Sequence, residues 1–369
     1  MNEKLKQLAE QSTAEVEKNQ RKFYWQADGY KFNNVNLARW YEKDNNCWVE
    51  YVDRQFPIIK EHLATQTLDN NKNYNLEFIR KLKQNYNKVN LLFSGGYDST
   101  QIFYDFVENN LTIDEAIVNI GMDIEPEITN EILLNANPLL EKYKTHVKKQ
   151  TIIQYSYQQI NERWMDDWAL FDRPYADTMP PVATNIGLGN IMETDPDACY
   201  IKGVDKPQLV RYNDKWYVVA LDQNLGTHYE IPTLIYFWLD AGNILSLIKD
   251  ARMYRDWLVE NKKITNGLQF FYMWDNDQNK FLGRREIPRP DVKLSKANKI
   301  DIRHTRLIEK QKFTTMSHYC NSLKKFQDIF PETIKDGFES YTSKSKFAWF
   351  IDIDSLTAYT QQELIPEGF

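Results

Sequence analysis

Cysteine is scarce: the chain has three in 369 residues, Cys47, Cys199 and Cys320, far apart, odd in number and without a CxxC pair. That excludes a disulfide framework or a four-cysteine zinc site and points to a reducing compartment. The five histidines form no ligand pattern either. The dipeptide Gly-Lys occurs nowhere, which removes the GxxxxGK[ST] loop and with it the P-loop kinase and GTPase classes. No run of 18 apolar residues exists, and Met1 to Gln20 reads as a charged helix with Leu5, Leu8 and Val16 on one side rather than a secretory leader. No membrane passage is expected, and the protein is read as cytoplasmic. A formal charge of −6 argues against a generally basic nucleic-acid coat. No internal repeat or low-complexity tract is present.

What is present is enough apolar material, 42% of residues, to bury a substantial core in two or three lobes. The most informative segment is Val89 to Thr100, VNLLFSGGYDST, an apolar strand running into Ser94-Gly95-Gly96-Tyr97-Asp98-Ser99-Thr100. Two consecutive glycines allow a tight turn in which successive N–H groups point at one anion, and the hydroxyls of Ser94, Ser99 and Thr100 add donors. Thr100, Ile102, Phe103, Phe106 and Val107 recur at helical spacing, so the loop opens a helix whose N-terminus favours phosphate oxygens. Asp98 fits such a loop as a carboxylate that holds Mg²⁺. The bland alternative is a Ser-Gly-Gly turn between a buried strand and a helix. Gly187-Leu188-Gly189-Asn190 begins like a dinucleotide fingerprint, but Met192 stands where the third glycine belongs, and the stretch reads as a loop.

At Ser94, Gly95, Gly96, Asp98 and Ser99 the chain resembles the PP-loop ATP pyrophosphatase superfamily, whose signature SGGxDS is matched without a gap. The resemblance covers residues 88 to 120, and more loosely extends to 206. It implies a parallel-sheet, HUP-like and Rossmann-like α/β core, with ATP and Mg²⁺ as ligands and the loop, Tyr97 and Thr100 included, around the β,γ-pyrophosphate. A substrate oxygen then attacks the α-phosphate, leaving AMP on the substrate. The nearest branch in character is that of asparagine synthetase and the queuosine-precursor nitrile synthase.

Three regions follow from the pattern. Residues 1–85 read as a helical and irregular preface, with a second helix expected over Val49 to Gln66 and an aromatic cluster, Phe23-Tyr24-Trp25, better suited to packing than to base stacking. Residues 86–225 alternate as strand Val89–Phe93, helix Ser99–Asn109, strand Glu115–Ile120, helix Glu127–Tyr143 and strand His146–Ile153. That βαβαβ order predicts a parallel sheet with its ligand at the carboxyl ends of the strands. A helix over Gln154–Asp172, a loop over Arg173–Asp195, a returning strand Ala198–Lys202 and a hairpin, Gln208–Tyr212 with Trp216–Leu221, complete this region. Residues 226–369 read as mainly helical, with helices over Thr233–Asp240, Asn243–Glu260 and around Thr305–Phe326.

Further site candidates follow from position. Lys202, Gly203, Asp205 and Lys206 come after a core strand, where Asp205 would add a second Mg²⁺ contact and Lys202 or Lys206 would neutralise the α-phosphate; a plain hairpin entry is the alternative. Ile120 and Met122 follow the second strand, where the family packs adenine on an apolar side chain. Asp123 and Glu125 read more simply as acids at a helix N-terminus. Residues 284–312 carry ten basic and four acidic side chains, +6 against −12 for the rest, a segment suited to pyrophosphate or nucleic acid or else a solvated face.

The reaction expected is AMP- and pyrophosphate-forming adenylation of a carboxylate or amide oxygen on a small-molecule acceptor, followed by displacement of AMP, a C–N-forming ligase. Ammonia would be free or come from a partner protein, since no glutaminase cysteine context is found. The alternatives are a tRNA-modifying enzyme or sulfurtransferase, with a sulfur-donating partner and Cys199 near the site, and a non-catalytic ATP-binding module.

Overall fold

The computed structural model describes residues 3–33, 35–95, 97–121, 136–155, 195, 197–203, 208–221, 232–260, 269–271 and 346–365. The N-terminal region holds α1 (Glu3–Lys18), β1 (Phe23–Ala27), β2 (Tyr30–Phe32), α2 (Val35–Asn45), β3 (Glu50–Asp53), α3 (Phe56–Thr65) and α4 (Tyr74–Asn85). It is therefore not purely helical. The strands form an antiparallel sheet of order β2-β1-β3, and the aromatic cluster lies in β1, with Trp25 packed 4.9 Å from Tyr51. Asp28 and Gly29, at φ of 50° and 84°, join β1 to β2 in the two-residue turn that Asp-Gly favours. The helix expected over Val49–Gln66 is instead β3 followed by α3, because Pro57 suits a first helical turn but not a helix interior.

The core contains β4 (Lys88–Leu92), α5 (Tyr97–Val107), β5 (Ile113–Gly121), α6 (Asn137–Lys142), β6 (Val147–Tyr155) and β7 (Ala198–Lys202). Then come β8 (Gln208–Tyr212), β9 (Lys215–Leu221), β10 (Leu234–Tyr236) and α7 (Ile244–Glu260). Five strands form one all-parallel sheet of order β10-β7-β4-β5-β6. This is a Rossmann-like α/β core: successive strands run outward from β4 to β6, after which β7 and β10 add on its other side, so the order reverses between β4 and β7. The helix expected over Thr233–Asp240 is the fifth parallel strand, β10. Leu-Ile-Tyr is wholly buried there, and a short apolar run of this kind has no period that separates strand from helix.

Helix α5 is buried from Ser99 through Phe106, with Phe103 stacked 5.0 Å from Phe93. Burial of such a side chain contributes roughly 2–3 kcal/mol. It ends at Asn110, whose φ of 56° lets the N–H groups of Asn110 and Leu111 bond back to Val107 and Phe106 at 3.1 and 2.8 Å. A buried polar cluster ties it to its neighbours: the Asn75 amide donates to Asp105 (3.0 Å), while Asn243 and Ser246 donate to the Asn75 carbonyl (3.2 and 2.5 Å).

The expected hairpin is present. Asn213 and Asp214, with φ of 48° and 60°, turn β8 into β9. With β11 (Gln269–Phe271), β12 (Phe347–Asp352) and β13 (Ala358–Tyr359) these strands form a second five-stranded sheet of order β11-β8-β9-β12-β13, antiparallel throughout, and α8 (Gln361–Leu364) follows. The described residues after 225 thus hold the expected helix α7 together with strands β10 to β13. Strand β12 also meets the N-terminal region, where Trp349 donates to the buried Asp53 carboxylate at 2.7 Å. Burial pushes that carboxyl up to about 7. Among the described residues no helix is long and apolar enough to cross a membrane.

Candidate nucleotide site

The loop after β4 sits at the carboxyl edge of the sheet, where the strand order reverses. Phe93 extends the ladder by donating its N–H to Ile117 at 2.8 Å, and the chain then leaves the sheet at Ser94. Gly95 is buried and holds φ at 74°, a left-handed conformation open to glycine and strained for other residues. Helix α5 begins two residues later at Tyr97. A strand end, a positive-φ glycine and a helix N-terminus thus follow one another here, and the free N–H groups of a first helical turn favour an anion.

The loop hydroxyls brace this turn. Thr100 donates its hydroxyl to the Gly95 carbonyl at 3.1 Å, and the Ser94 and Ser99 oxygens lie 3.1 Å apart. Ser99 and Thr100 are buried and Ser94 is exposed. The sequence placed these hydroxyls as phosphate donors; here two of them fasten the loop to its own helix.

The adjoining strand delivers Lys202, which pairs in register with Leu92, and then Gly203. Both are partly exposed, and they lie on the same edge as Ser94. On the other side β5 and β6 overshoot: β4 ends opposite Ile117, whereas β5 pairs with β6 up to Gly121 and Tyr155. The loop after β4 therefore lies beside a taller β5 that carries the backbone of Ile120. Gly96, Met122, Asp205 and Lys206 lie outside the described residues, as does the basic segment 284–312; for Tyr97, Asp98 and Ile120 the backbone alone is described. Among the described residues no three His, Cys, Asp or Glu side chains converge as a metal cluster.

One residue of this region escaped the sequence reading. Gln101, in α5, is 7% exposed and its Nε2 has no hydrogen-bond partner. Nothing in the residue pattern distinguishes it from any other polar helix residue.

Cys199 is not near the site. It pairs with Val89 in the amino half of β7, is wholly buried, and burial pushes its thiol up to about 12. At that same amino edge a groove of about 610 Å³ is lined by Lys88, Asp114, Glu115, Lys148, Lys149 and Asp195, among others. Its charges satisfy one another. Lys88 meets Asp195 at 2.5 Å, Lys149 meets Glu115 at 2.8 Å, and Asp114 takes Lys148 at 2.6 Å, Lys83 at 3.2 Å and the Val89 N–H at 2.9 Å.

Compared with known proteins, the chain matches no family model and no curated sequence.

Proposed function

We propose that this protein is an AMP-forming ATP pyrophosphatase of the PP-loop type, with a HUP-like core, that adenylates an acceptor oxygen and acts as a ligase. The observation that carries this reading is the SGGYDST loop placed at the reversal of a parallel sheet, with Gly95 in the left-handed region and α5 starting directly behind it. Open α/β sheets bind ligands at that position.

In this reading ATP is a substrate, and the main-chain groups from Ser94 to the start of α5 hold its β- and γ-phosphates. An acceptor carboxylate or amide oxygen attacks the α-phosphorus in line, the bond to the β-phosphate oxygen breaks, and pyrophosphate leaves with the electron pair. AMP then rests on the acceptor until an amine displaces it. Lys202, and Lys206 by its place in the sequence, stabilise the charge that grows at the α-phosphate. Asp98 and Asp205 are the residues that would hold Mg²⁺, which when bound neutralises the phosphate oxygens.

The burial of Cys199 at the far edge counts against it as a sulfur carrier, so the ligase reading stands ahead of the sulfurtransferase one. The test is product analysis. Purified protein with MgATP and candidate acceptors should release AMP and pyrophosphate in equal amounts. Release of ADP and phosphate contradicts the mechanism, and absence of any MgATP binding in calorimetry removes the nucleotide reading altogether.

A further inference from the structure

We propose that Thr100 is a positioning residue of the phosphate grip: its hydroxyl, bonded to the Gly95 carbonyl, holds that peptide in the orientation that receives phosphate, and the side chain does so without touching the ligand. The proposal rests on the nucleotide reading above and changes the role that the sequence suggests for this residue, from phosphate donor to brace. Three observations carry it. The first is the bond itself. The Thr100 hydroxyl donates to the Gly95 carbonyl oxygen at 3.1 Å, and a hydroxyl has one proton to give. That proton is engaged within the loop, and the side chain is 8% exposed, so Thr100 is placed to hold the turn rather than to donate to a phosphate oxygen.

The second observation is what the bond acts on. Gly95 holds φ at 74°. Glycine populates positive and negative φ about equally, so nothing in the residue itself keeps this peptide in one orientation. A partner for its carbonyl does. Thr100 is the fourth residue of α5, so the bond ties the turning glycine to a helix that is itself fixed by Phe103 stacked on Phe93. The third observation is a contact of the same span beside it. The Ser94 and Ser99 oxygens lie 3.1 Å apart, so residues 94 with 99 and 95 with 100 form two adjacent rungs across the loop. Ser94 is exposed and Thr100 is buried, which makes the rung through Thr100 the one shielded from water, where a hydrogen bond is electrostatically stronger. A loop fixed before its ligand arrives gives up less freedom on binding, and that raises affinity.

The experiment separates the hydroxyl from the rest of the side chain. Thr100→Val keeps the shape and deletes the hydroxyl; Thr100→Ser keeps the hydroxyl and deletes the methyl group. MgATP affinity is measured by calorimetry on wild type and both variants, well below their unfolding temperatures. The expected result is binding about tenfold weaker in the valine variant and within twofold of wild type in the serine variant. In pyrophosphate-release assays the valine variant should raise KM for MgATP by the same factor with kcat within twofold, because a pre-set loop holds ground state and transition state alike. A loss confined to kcat would put the hydroxyl at the reacting atoms and overturn the positioning role. Wild-type affinity in the valine variant overturns the proposal while leaving the nucleotide reading intact, and so does a serine variant as weak as the valine one. A valine variant that fails to fold overturns it too, since the hydroxyl would then sustain the core as a whole. If wild type itself binds no MgATP, the nucleotide reading fails and this inference with it.

Discussion

The two edges of the parallel sheet are built on opposite principles. At the amino edge Asp114 gathers Lys83, Lys148 and the Val89 N–H, and Lys88 and Lys149 are each paired with an acid. Among the described residues these charges are paired, and the arrangement makes sense as structural support. At the carboxyl edge a glycine in the left-handed region turns the chain and a helix begins directly behind it. A backbone conformation that only glycine adopts without strain fits the proposal of a ligand at this edge. The contrast is between an edge whose charges pair with one another and an edge whose loop and helix start leave main-chain groups for a ligand in the proposed reading.

If the contrast is right, substitutions at the carboxyl edge should change function more than stability, and those at the amino edge the reverse. The largest effect is expected from Asp98→Ala, which should lower Mg²⁺-dependent pyrophosphate release by about 10²–10³-fold, the range seen when an electrostatic contact to the transition state is lost. Circular dichroism and the unfolding temperature should stay near wild type. Full turnover in this variant would remove Asp98 from the site.

Gly95→Val comes next. Its φ of 74° would place a β-branched residue in the left-handed region, at about 1–2 kcal/mol or more of strain, and the added side chain would crowd the phosphate approach. Calorimetry should read at least tenfold weaker MgATP binding; wild-type affinity would argue against a main-chain cradle.

The sequence anticipated this edge better than the rest of the molecule, for identifiable reasons. Glycine pairs, buried apolar strands and α5's helical spacing are local signals, and β7 fell where Ala198–Lys202 predicted it. Asp28-Gly29 was an equally local hairpin signal, but between charged helices the strands it joins, Phe23–Ala27 and Tyr30–Phe32, are short and read as irregular chain. Strand β10 was hidden for another reason. Its three residues are buried on every side, so alternation is lost, and their pairing with Tyr200–Lys202 becomes visible when the sheet is assembled. Gln101 belongs to a third kind: whether a polar side chain is buried depends on tertiary packing, which no spacing rule encodes.

At the amino edge Asp114→Ala should invert the pattern seen for Asp98. Burial raises the Asp114 carboxyl, but hydrogen bonds from Lys148, the Val89 N–H and Lys83 outweigh it and hold the group below its ordinary range. Its stabilisation is therefore present above the unfolded pKa of about 3.9 and is lost as pH falls through the lower folded value. The variant should lose about 1–3 kcal/mol at neutral pH in urea unfolding and approach wild type in acid, with MgATP affinity retained. A variant of wild-type stability that no longer binds nucleotide would reverse the assignment of the two edges.

The smallest expected effect is the most discriminating for the reaction class. Cys199 is sealed in the amino half of β7, opposite Val89, and burial pushes its thiol up to about 12, so almost none is thiolate at neutral pH. A sulfur carrier must be exposed at the carboxyl edge and ionise readily, because the thiolate is the nucleophile. Cys199→Ala removes one buried sulfur, a change of about 1–2 kcal/mol in stability for the small void it leaves. Pyrophosphate release should stay within twofold of wild type at a temperature well below unfolding. A tenfold or greater loss with the fold intact would place a reactive thiol where the sheet now places an inert one, and would move the reading from C–N ligation to sulfur transfer.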